Sequence, residues 1–346
     1  MSSIKDVALR AGVSTATVSN VINSTRYVAP ELCERVHKAI EELHYAPSPI
    51  ARGMKGYSSH IIGVIISCYD QLFFPQVING IENIAHENGF HIVVQYTNYN
   101  LAVEKACIQF LLNTNISGIL LNSVAPADNT EYFKWVSNLS IGGRHVPVVS
   151  LERDLTFFSI DSVCIDDVYG AVIATKHLIS QGCRNICHIA GPSNFAISTD
   201  RINGFERVMK ESGLEYTILS SDFKPIGGYE SIRSLLKSGK TFDGVFCASD
   251  AIAIGALKAL REYHIPCPEE VKVIGFDNSY LASLIRPSLS TIHVPQIGIG
   301  QEATKQLINR ITLMTDTPAL MTEIAIRIIP RRSTNPNCND EWELEL

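Results

Sequence analysis

The sequence lacks any segment that would carry it into or across a membrane. Its N-terminus, Met-Ser-Ser-Ile-Lys-Asp, has no apolar signal-peptide core, and no apolar run is long enough to span a bilayer. The nine cysteines include no Cys-x-x-Cys pair, and the spacing of Cys183 and Cys187 suits no common metal site. We therefore expect a cytoplasmic protein that has no metal site and whose cysteines are small buried side chains.

Motifs that mark common classes of enzyme are also missing. No Gly-x-Gly-x-x-Gly or P-loop pattern falls at a strand-to-helix turn, and no Gly-x-Ser-x-Gly pattern is present. The ten histidines form no His-Glu-x-x-His pattern or similar ligand pair. The sequence therefore predicts neither an enzyme nor a bound cofactor, and a solute-binding or sugar-processing protein is kept as the alternative.

Charge is distributed unevenly along the 346 residues. Residues 1–60 contain seven Lys/Arg and five Asp/Glu, a net charge of +2, whereas the remainder contains 22 and 30, a net charge of −8. The overall charge of −6 alone argues against nucleic-acid binding. A small basic head on an acidic body is nevertheless typical of a DNA reader whose body stays away from the phosphates.

The pattern of apolar residues changes near residue 60. Before it, apolar side chains recur only at helical spacing, and after it short apolar runs rich in β-branched residues alternate with amphipathic stretches. This predicts an all-α head and an α/β body of parallel sheets flanked by helices. About ten strand–helix units exceed one compact sheet, which favours two lobes with a cleft between them.

The predicted strands are Ile61–Ser67, His91–Tyr96, Ile116–Asn122, Val146–Leu151, Asn185–Ala190, Gly244–Ala248 and Lys272–Phe276. The predicted helices of the body are Gln76–Asn88, Ala102–Asn113, Tyr169–Ser180, Thr199–Ser212, Tyr229–Lys237, Ala251–Tyr263 and Gly298–Leu313.

The first 23 residues contain the signals of two helices joined by a tight turn. Ser3 and Asp6 form a capping-box pattern, Gly12 supplies the flexible turn residue, and Ser14 can cap a second helix. The span Lys5–Asn23 therefore predicts a helix-turn-helix, with an ordinary helical hairpin as the alternative. Pro30 stands at the first-turn position of a third helix, predicted over Glu31–His44.

In a helix-turn-helix the second helix lies in the major groove of DNA, with its first residues towards the bases. Its exposed candidates for base contacts are Thr15, Ala16, Thr17 and Asn20. Thr and Asn can hydrogen-bond base edges, and Ala can touch a thymine methyl group. Ser19 is assigned to a phosphate. The apolar residues between them, Val18, Val21 and Ile22, are assigned to the core.

Several short stretches of the head form a familiar set: Ile4-Lys5-Asp6-Val7-Ala8, Ala11-Gly12-Val13-Ser14, Thr17-Val18-Ser19, Val21-Ile22-Asn23 and Tyr45-x-Pro47-Ser48-x-x-Ala51-Arg52. They closely resemble the head of the lactose/galactose-repressor family, and within it the purine-repressor branch. The resemblance covers nearly every position from 4 to 55. It implies a dimeric regulator that binds palindromic operator DNA, with Asn23 among the contact residues. Asn20 replaces the basic residue that many members carry, which leaves the operator sequence open.

The resemblance also implies a hinge. Ser48 and Pro49 can begin a helix over Ile50–Lys55, which is too short to be stable alone in water. We expect it to form only when two copies pair in the minor groove of bound DNA, where Met54 would act as an apolar wedge. The hinge residues assigned to DNA are Ala51, Met54 and Lys55. A disordered linker is the alternative.

Residues 61–330 resemble the family's core, which is similar to periplasmic sugar-binding proteins. The stretches that carry this resemblance are Phe246-Cys247-Ala248-Ser249-Asp250-Ala251-x-Ala253-x-Gly255-Ala256, Gly275-Phe276-Asp277-Asn278 and Thr291-Ile292-His293-x-Pro295. In such lobes ligands bind beyond the carboxyl ends of the strands. The residues predicted there are Phe73, Phe74, Glu152, Arg153, Phe195, Arg201, Phe223, Ser249 and Asp277.

By family position, Arg201 and Asp277 are the candidates for polar contacts with the ligand, with a structural salt bridge as the alternative. Phe74 and Phe223 would stack on its apolar face, with core packing as the alternative. Phe195 and Ile197 stand where the purine branch has Arg and Thr, so a sugar or sugar derivative is expected by analogy rather than a purine. Ser249 replaces an Asn of many sugar-sensing members.

These observations divide the chain into four parts. Residues 1–46 form the DNA-binding head, 47–60 the hinge and linker, 61–330 the two-lobed ligand-binding and dimerisation domain, and 331–346 a polar C-terminal tail. We expect a ligand to move the lobes and thereby the two hinges of a dimer.

Overall fold

The computed structural model describes residues 2–23, 26–45, 59–69, 72–193, 195–313 and 317–338. Contacts divide the chain into two units, Met1–Ser59 and His60–Leu346. Each is described separately below as the head and the body. Across the described ranges, no helix combines the length and the apolar character needed to cross a bilayer.

The head consists of three helices, α1 (Ile4–Ala11), α2 (Thr15–Asn23) and α3 (Pro30–Glu42). Val7, Val18 and Val36, one from each helix, are fully buried and form its core. The third helix ends two residues before the predicted end at His44, which takes a left-handed backbone with φ 45°.

The body has nine helices and fourteen strands in its described ranges. The helices are α4 (Phe74–Glu87), α5 (Leu101–Asn113), α6 (Thr130–Ser137), α7 (Asp167–Ser180), α8 (Ala196–Ser212), α9 (Pro225–Lys237), α10 (Asp250–Glu262), α11 (Tyr280–Leu284) and α12 (Gln296–Leu313). The strands are β1 (Ile61–Ile66), β2 (His91–Tyr96), β3 (Gly118–Leu121), β4 (Ser140–Ile141), β5 (Arg144–His145), β6 (Val148–Leu151), β7 (Asp161–Cys164), β8 (Asn185–Ala190), β9 (Glu215–Ser220), β10 (Gly244–Cys247), β11 (Lys272–Asp277), β12 (Ser290–His293), β13 (Met321–Glu323) and β14 (Arg327–Ile329).

Two six-stranded sheets form the two lobes that the apolar pattern predicted. Lobe 1 has the order β13-β7-β6-β3-β1-β2, and lobe 2 the order β14-β12-β11-β10-β8-β9. All pairs in these sheets are parallel except β12 with β14. The central strands are buried along their whole length, as for β3 and β10, because helices cover both faces. The predicted α/β class with a helical head is therefore confirmed.

The chain crosses between the lobes three times. It passes from β7 in lobe 1 to β8 in lobe 2, returns from β12 to β13, and crosses again to β14. Helix α12 belongs to lobe 1, where it packs on α4 so closely that a side chain at Gly80 would collide with the carbonyl oxygen of Ile297. Because three connections join the lobes, we expect movement of one lobe to be coupled to movement of the other.

The C-terminal boundary of the body was predicted too early. The predicted C-terminal tail begins at residue 331, but Arg331, Ser333 and Thr334 are buried in lobe 2. The Ser333 hydroxyl donates to the carbonyl oxygen of Val273 at 2.6 Å, and the Arg331 guanidinium donates to Asn278 Oδ1 at 2.8 Å. These polar side chains can be buried because residues distant in sequence form hydrogen bonds with them.

Candidate nucleic-acid interface and ligand cleft

The turn between α1 and α2 is fixed by local hydrogen bonds that the sequence predicted. The Ser3 hydroxyl accepts from the Asp6 backbone N–H and the Asp6 carboxylate accepts from the Ser3 N–H, so the capping box is confirmed. Gly12 ends α1 in a left-handed conformation with φ 63°. The Ser14 hydroxyl accepts from the Thr17 N–H at 3.1 Å and so caps α2.

Arg35 also supports this turn and was missed by sequence reasoning. It projects from α3 and donates to the carbonyl oxygens of Ala11 at 2.6 Å and Gly12 at 3.3 Å. These are carbonyls at the end of α1, which lack partners within the helix. The only signal in the sequence would have been a basic residue on the inner side of the third helix.

The outer face of α2 carries the residues predicted to read DNA. Thr15 and Ala16 are exposed, and Thr17, Ser19 and Asn20 are half-buried. The Thr17 hydroxyl lies 2.9 Å from that of Ser14. The apolar Val18 faces the core, as predicted. The side chain of Asn23 and the hinge residues Ala51, Met54 and Lys55 lie outside the described residues, so their roles remain predictions.

The carboxyl ends of the strands in both lobes open into one cavity within the body. Its unfilled space is about 810 Å³, a value that includes the solvent-filled space at its open mouth. All nine residues that the sequence assigned to the ligand line it: Phe73, Phe74, Glu152, Arg153, Phe195, Arg201, Phe223, Ser249 and Asp277. We call this cavity the cleft, and direct contact of these residues with a ligand remains a prediction.

Arg201 on α8 is held in place by the protein itself. Its Nε donates to the Asp167 carboxylate at 2.7 Å, its Nη1 donates to the Ala248 carbonyl oxygen, and its guanidinium lies 3.6 Å from the ring centre of Phe276. The side chains of Arg201 and Asp167 are 4% and 6% exposed, so the pair is a buried salt bridge. The alternative prediction for Arg201, a structural salt bridge, is therefore confirmed, and Arg201 also lines the cleft.

Three further carboxyl groups line the cleft together with Arg201, and burial raises the pKa of each. Burial and the neighbouring Asp167 raise the pKa of Glu152 to about 7. Burial raises the pKa of Asp250 to about 6, although Thr291 and Ser279 donate to its carboxylate at 2.6 Å each. Burial, with Asp250 the first of the neighbouring carboxylates, raises the pKa of Asp277 well above its usual value.

The backbone is strained where two of these carboxyl groups enter the cleft. Glu152 and Asp277 end strands of the two lobes and have φ angles of 66° and 107°. Non-glycine residues seldom adopt such values, and they concentrate at functional sites. The strain aims both side chains at the space between the lobes.

Glu104 positions one wall of the cleft without lining it. Its fully buried carboxylate accepts from the Ser123 hydroxyl and the Val124 N–H, at 2.7 Å each, and from the Tyr132 hydroxyl. Ser123 and Val124 follow β3 and line the cleft. Burial raises the pKa of Glu104, and these hydrogen bonds oppose the rise.

Aromatic rings form much of the remaining wall. Phe73 and Phe74 lie edge to face in lobe 1 at 5.4 Å between ring centres. Tyr99 of lobe 1 meets Phe195 of lobe 2 at 5.2 Å, and Phe195 lies 6.3 Å from Phe223. Phe73 and Phe74 are also buried in the hydrophobic core, so for them the packing alternative holds together with the cleft position.

Sequence reasoning missed several cleft residues, including Tyr99, Asn122 and Asp250. Asn122 donates from Nδ2 to Glu152 at 2.7 Å, and Tyr99 has a left-handed backbone with φ 59°. The position of Asp250 in the cleft could have been predicted, because it follows Ser249 in one of the stretches that carry the family resemblance. Ser249 itself caps α10 by accepting from the Ile252 N–H at 3.3 Å.

Two family descriptions match the chain. Residues 3–48 match "Bacterial regulatory proteins, lacI family", and residues 175–334 match a periplasmic binding protein-like domain. The chain is 33% identical over 342 residues to the ribose operon repressor of Halalkalibacterium halodurans, covering 99% of both chains. It is 33% identical over 337 residues to the HTH-type transcriptional repressor PurR of Proteus mirabilis, covering 96% of this chain and 97% of the relative. A solved structure of a transcriptional regulator CelR–cellobiose complex aligns with TM-score 0.70 and 28% identity, covering 96% of this chain and all of that one.

Proposed function

The chain belongs to the lacI family of bacterial regulatory proteins, which bind DNA under the control of small ligands, and from this premise we propose a specific mode of action. The protein is a cytoplasmic repressor that binds a palindromic operator as a homodimer, and a sugar-like effector in the cleft controls that binding. It acts as a regulator and not as an enzyme, because the relatives matched over nearly their full length are named as repressors.

One observation carries the proposal: a single chain joins a capped helix-turn-helix to a two-lobed body whose cleft is lined with polar and aromatic side chains. The exposed Thr15 and Ala16 stand at the start of α2, the end that enters the major groove in this motif. Thr17, Ser19, Asn20 and Asn23 complete the reading face that we propose for α2. Ala51, Met54 and Lys55 complete the contacts in the hinge.

A sugar-like effector fits the chemistry of the cleft. Carboxylates and a guanidinium offer charge-assisted hydrogen bonds to hydroxyl groups, and aromatic rings cover the apolar face of a sugar ring. The printed names of two similar proteins, a ribose operon repressor and a regulator bound to cellobiose, concern sugars. These names support the class of effector and do not select one sugar.

Control of DNA binding follows from the topology of the body. An effector that contacts Glu152 in lobe 1 and Asp277 in lobe 2 favours one arrangement of the lobes. Because the chain crosses between the lobes three times, a change in their arrangement changes the position of lobe 1. The first strand of lobe 1 begins at Ile61, directly after the predicted hinge in the sequence. The effector changes operator affinity only as far as it binds the two arrangements with different affinity.

A selection experiment tests the DNA-binding part. Purified full-length protein is incubated with a pool of random duplexes at near-physiological salt, and the bound DNA is sequenced over several rounds. We expect a palindrome with two half-sites, because each protomer of a dimer reads one. Bound DNA that shows no sequence enrichment over the starting pool would refute the proposal.

A further inference from the structure

We propose that the effector carries a protonated amine beside its hydroxyl groups, as an amino sugar does, and that the cleft rejects phosphorylated and carboxylated sugars. This inference rests on the proposed function, because it names the chemical class of the effector in the same cleft. Two independent features support it: carboxyl groups that outnumber the arginines lining the described part of the cleft, and aromatic walls of the kind that bind ammonium groups.

The first feature is an excess of carboxyl groups over cations. Glu152, Asp250 and Asp277 line the cleft, together with the cations Arg153 and Arg201. Arg201 is paired with a carboxylate other than these three, because it forms the buried salt bridge with Asp167. Arg201 still lowers the pKa of Glu152 and Asp277 through its charge, and Arg331 of lobe 2 lowers that of Asp250, but burial outweighs both and the pKa of all three carboxyl groups is raised.

Arg153 does not balance the remaining excess of carboxyl groups in the cleft. Its Nη1 donates to the Ala125 carbonyl oxygen at 2.6 Å, and its charge acts on Glu104 and Asp200 as well as on Glu152. Glu152 accepts one hydrogen bond from the neutral amide of Asn122. The charge of Arg153 is therefore shared among three carboxyl groups, Glu104 and Glu152 of lobe 1 and Asp200 on α8 of lobe 2.

Asp277 is the least satisfied of these groups. Its carbonyl oxygen accepts from Gln296 Nε2 at 2.8 Å, but within the described ranges no hydrogen bond to its carboxylate is found. Arg201 lowers the pKa of Asp277, while burial, Asp250, Glu152 and Asp167 raise it, and the net effect is a strong rise. The cleft therefore holds carboxyl groups whose ionisation burial makes unfavourable, and a cation bound beside them would offset that cost.

The second feature is the aromatic wall. Tyr99, Phe195 and Phe223 form a continuous run of rings across the mouth of the cleft, and Phe74 lines it from lobe 1. The face of an aromatic ring attracts a cation within about 6 Å, and cages of such rings bind ammonium groups. A wall of rings beside these carboxyl groups is suited to an amine and unsuited to a phosphate, which ionised carboxylates repel.

A matched series of sugars tests the preference. Thermal unfolding of the full-length protein is followed at about pH 6.5, below the ordinary pKa of such amines. The compounds are D-glucose, D-galactose and D-ribose, their 2-amino and N-acetylamino forms where these exist, and glucose 6-phosphate and ribose 5-phosphate. We expect an amino sugar to raise Tm by at least about 2 °C more than its neutral and N-acetyl counterparts, and the phosphates to give no rise.

A second arm needs no ligand. Asp277→Asn keeps the shape and tolerates the left-handed backbone, and at about pH 8 it should raise Tm by about 2–4 °C, because it removes a buried carboxyl group whose ionisation is unfavourable. At about pH 5 the gain should be smaller, because the destabilisation caused by a raised folded-state pKa grows as pH rises above the unfolded-state pKa. The control Asp167→Asn should lower Tm at pH 8, because it breaks the salt bridge with Arg201.

The outcomes separate this inference from the proposed function. Stabilisation by a neutral or phosphorylated sugar equal to that by its amino form would overturn the amine but keep a sugar effector. A fall in Tm for Asp277→Asn as large as that for Asp167→Asn would also overturn it, because Asp277 would then already have a counter-charge. If no sugar of any charge stabilises the protein, the sugar-like effector of the proposed function falls, and this inference with it.

Discussion

The Arg201→Met variant should lose about 3–5 kcal/mol of unfolding free energy, because it leaves the Asp167 carboxylate buried without its partner. The loss should grow as pH rises from about 4 to 8. Without the guanidinium, the pKa of Asp167 in the folded state rises further above its unfolded value, and a carboxyl group with a raised folded pKa destabilises the protein once it ionises. Denaturant unfolding of the body at several pH values measures both effects.

Two variants control this prediction. Arg207→Met removes an arginine of the same helix whose side chain is 68% exposed and pairs with Glu211 at 3.2 Å, and it should cost at most about 1 kcal/mol. Arg201→Met combined with Asp167→Asn should recover much of the stability and lose the pH dependence. If Arg201→Met alone were as stable as Arg207→Met, the buried pair would not stabilise the body.

Asn20→Ala should weaken operator binding by at least roughly 25-fold. A good bidentate contact between Asn and a base is worth about 1–3 kcal/mol, and a dimer that reads two half-sites loses it twice. The change should also relax the preference at one base pair in each half-site, because a base contact carries sequence information. Fluorescence anisotropy on the selected operator and on single-base variants of it measures affinity and preference together.

A matched variant separates base reading from damage to the head. Glu34 is an exposed residue of α3 outside the proposed reading face, and Glu34→Ala should leave operator affinity unchanged or slightly raised, because it removes a negative charge from the DNA-binding head. Circular dichroism should show equal helicity in both variants. Equal affinity of Asn20→Ala and wild type on every duplex would remove Asn20 from the reading face.

The sequence revealed the elements whose signals are local. The bounds of β2 and β8 follow the prediction residue for residue, and the Ser3 capping box and the turn at Gly12 are present as expected. Each depends on a continuous apolar run or on contacts between residues fewer than five positions apart. The number of apolar runs correctly predicted that the body has two lobes.

Strands with polar buried residues were missed. Strand β12 reads Ser-Thr-Ile-His, and its polar side chains are buried because distant residues pair with them. Thr291 donates to Asp250, and the Ser290 hydroxyl donates to the Arg331 carbonyl oxygen. The burial of Arg331–Thr334 has the same origin. No periodicity shows such pairing, since each partner alone looks like a loop residue.

The cleft was predicted in part for the same reason. All nine assigned residues line it, because strand ends and family position mark them. The pairing of Arg201 with Asp167 and the support of one wall by Glu104 were not foreseen. They depend on contacts across 34 and 20 positions of the chain, which only the folded structure brings together.

Coupling between the cleft and operator DNA is tested most directly by one comparison. Operator affinity of the full-length protein is measured at one fixed salt concentration, with and without a saturating amount of whichever sugar stabilises the protein most. Effector control predicts a change of at least about fivefold, and DNA should change the affinity for that sugar by the same factor. A sugar that binds the cleft tightly but leaves operator affinity the same would contradict effector control.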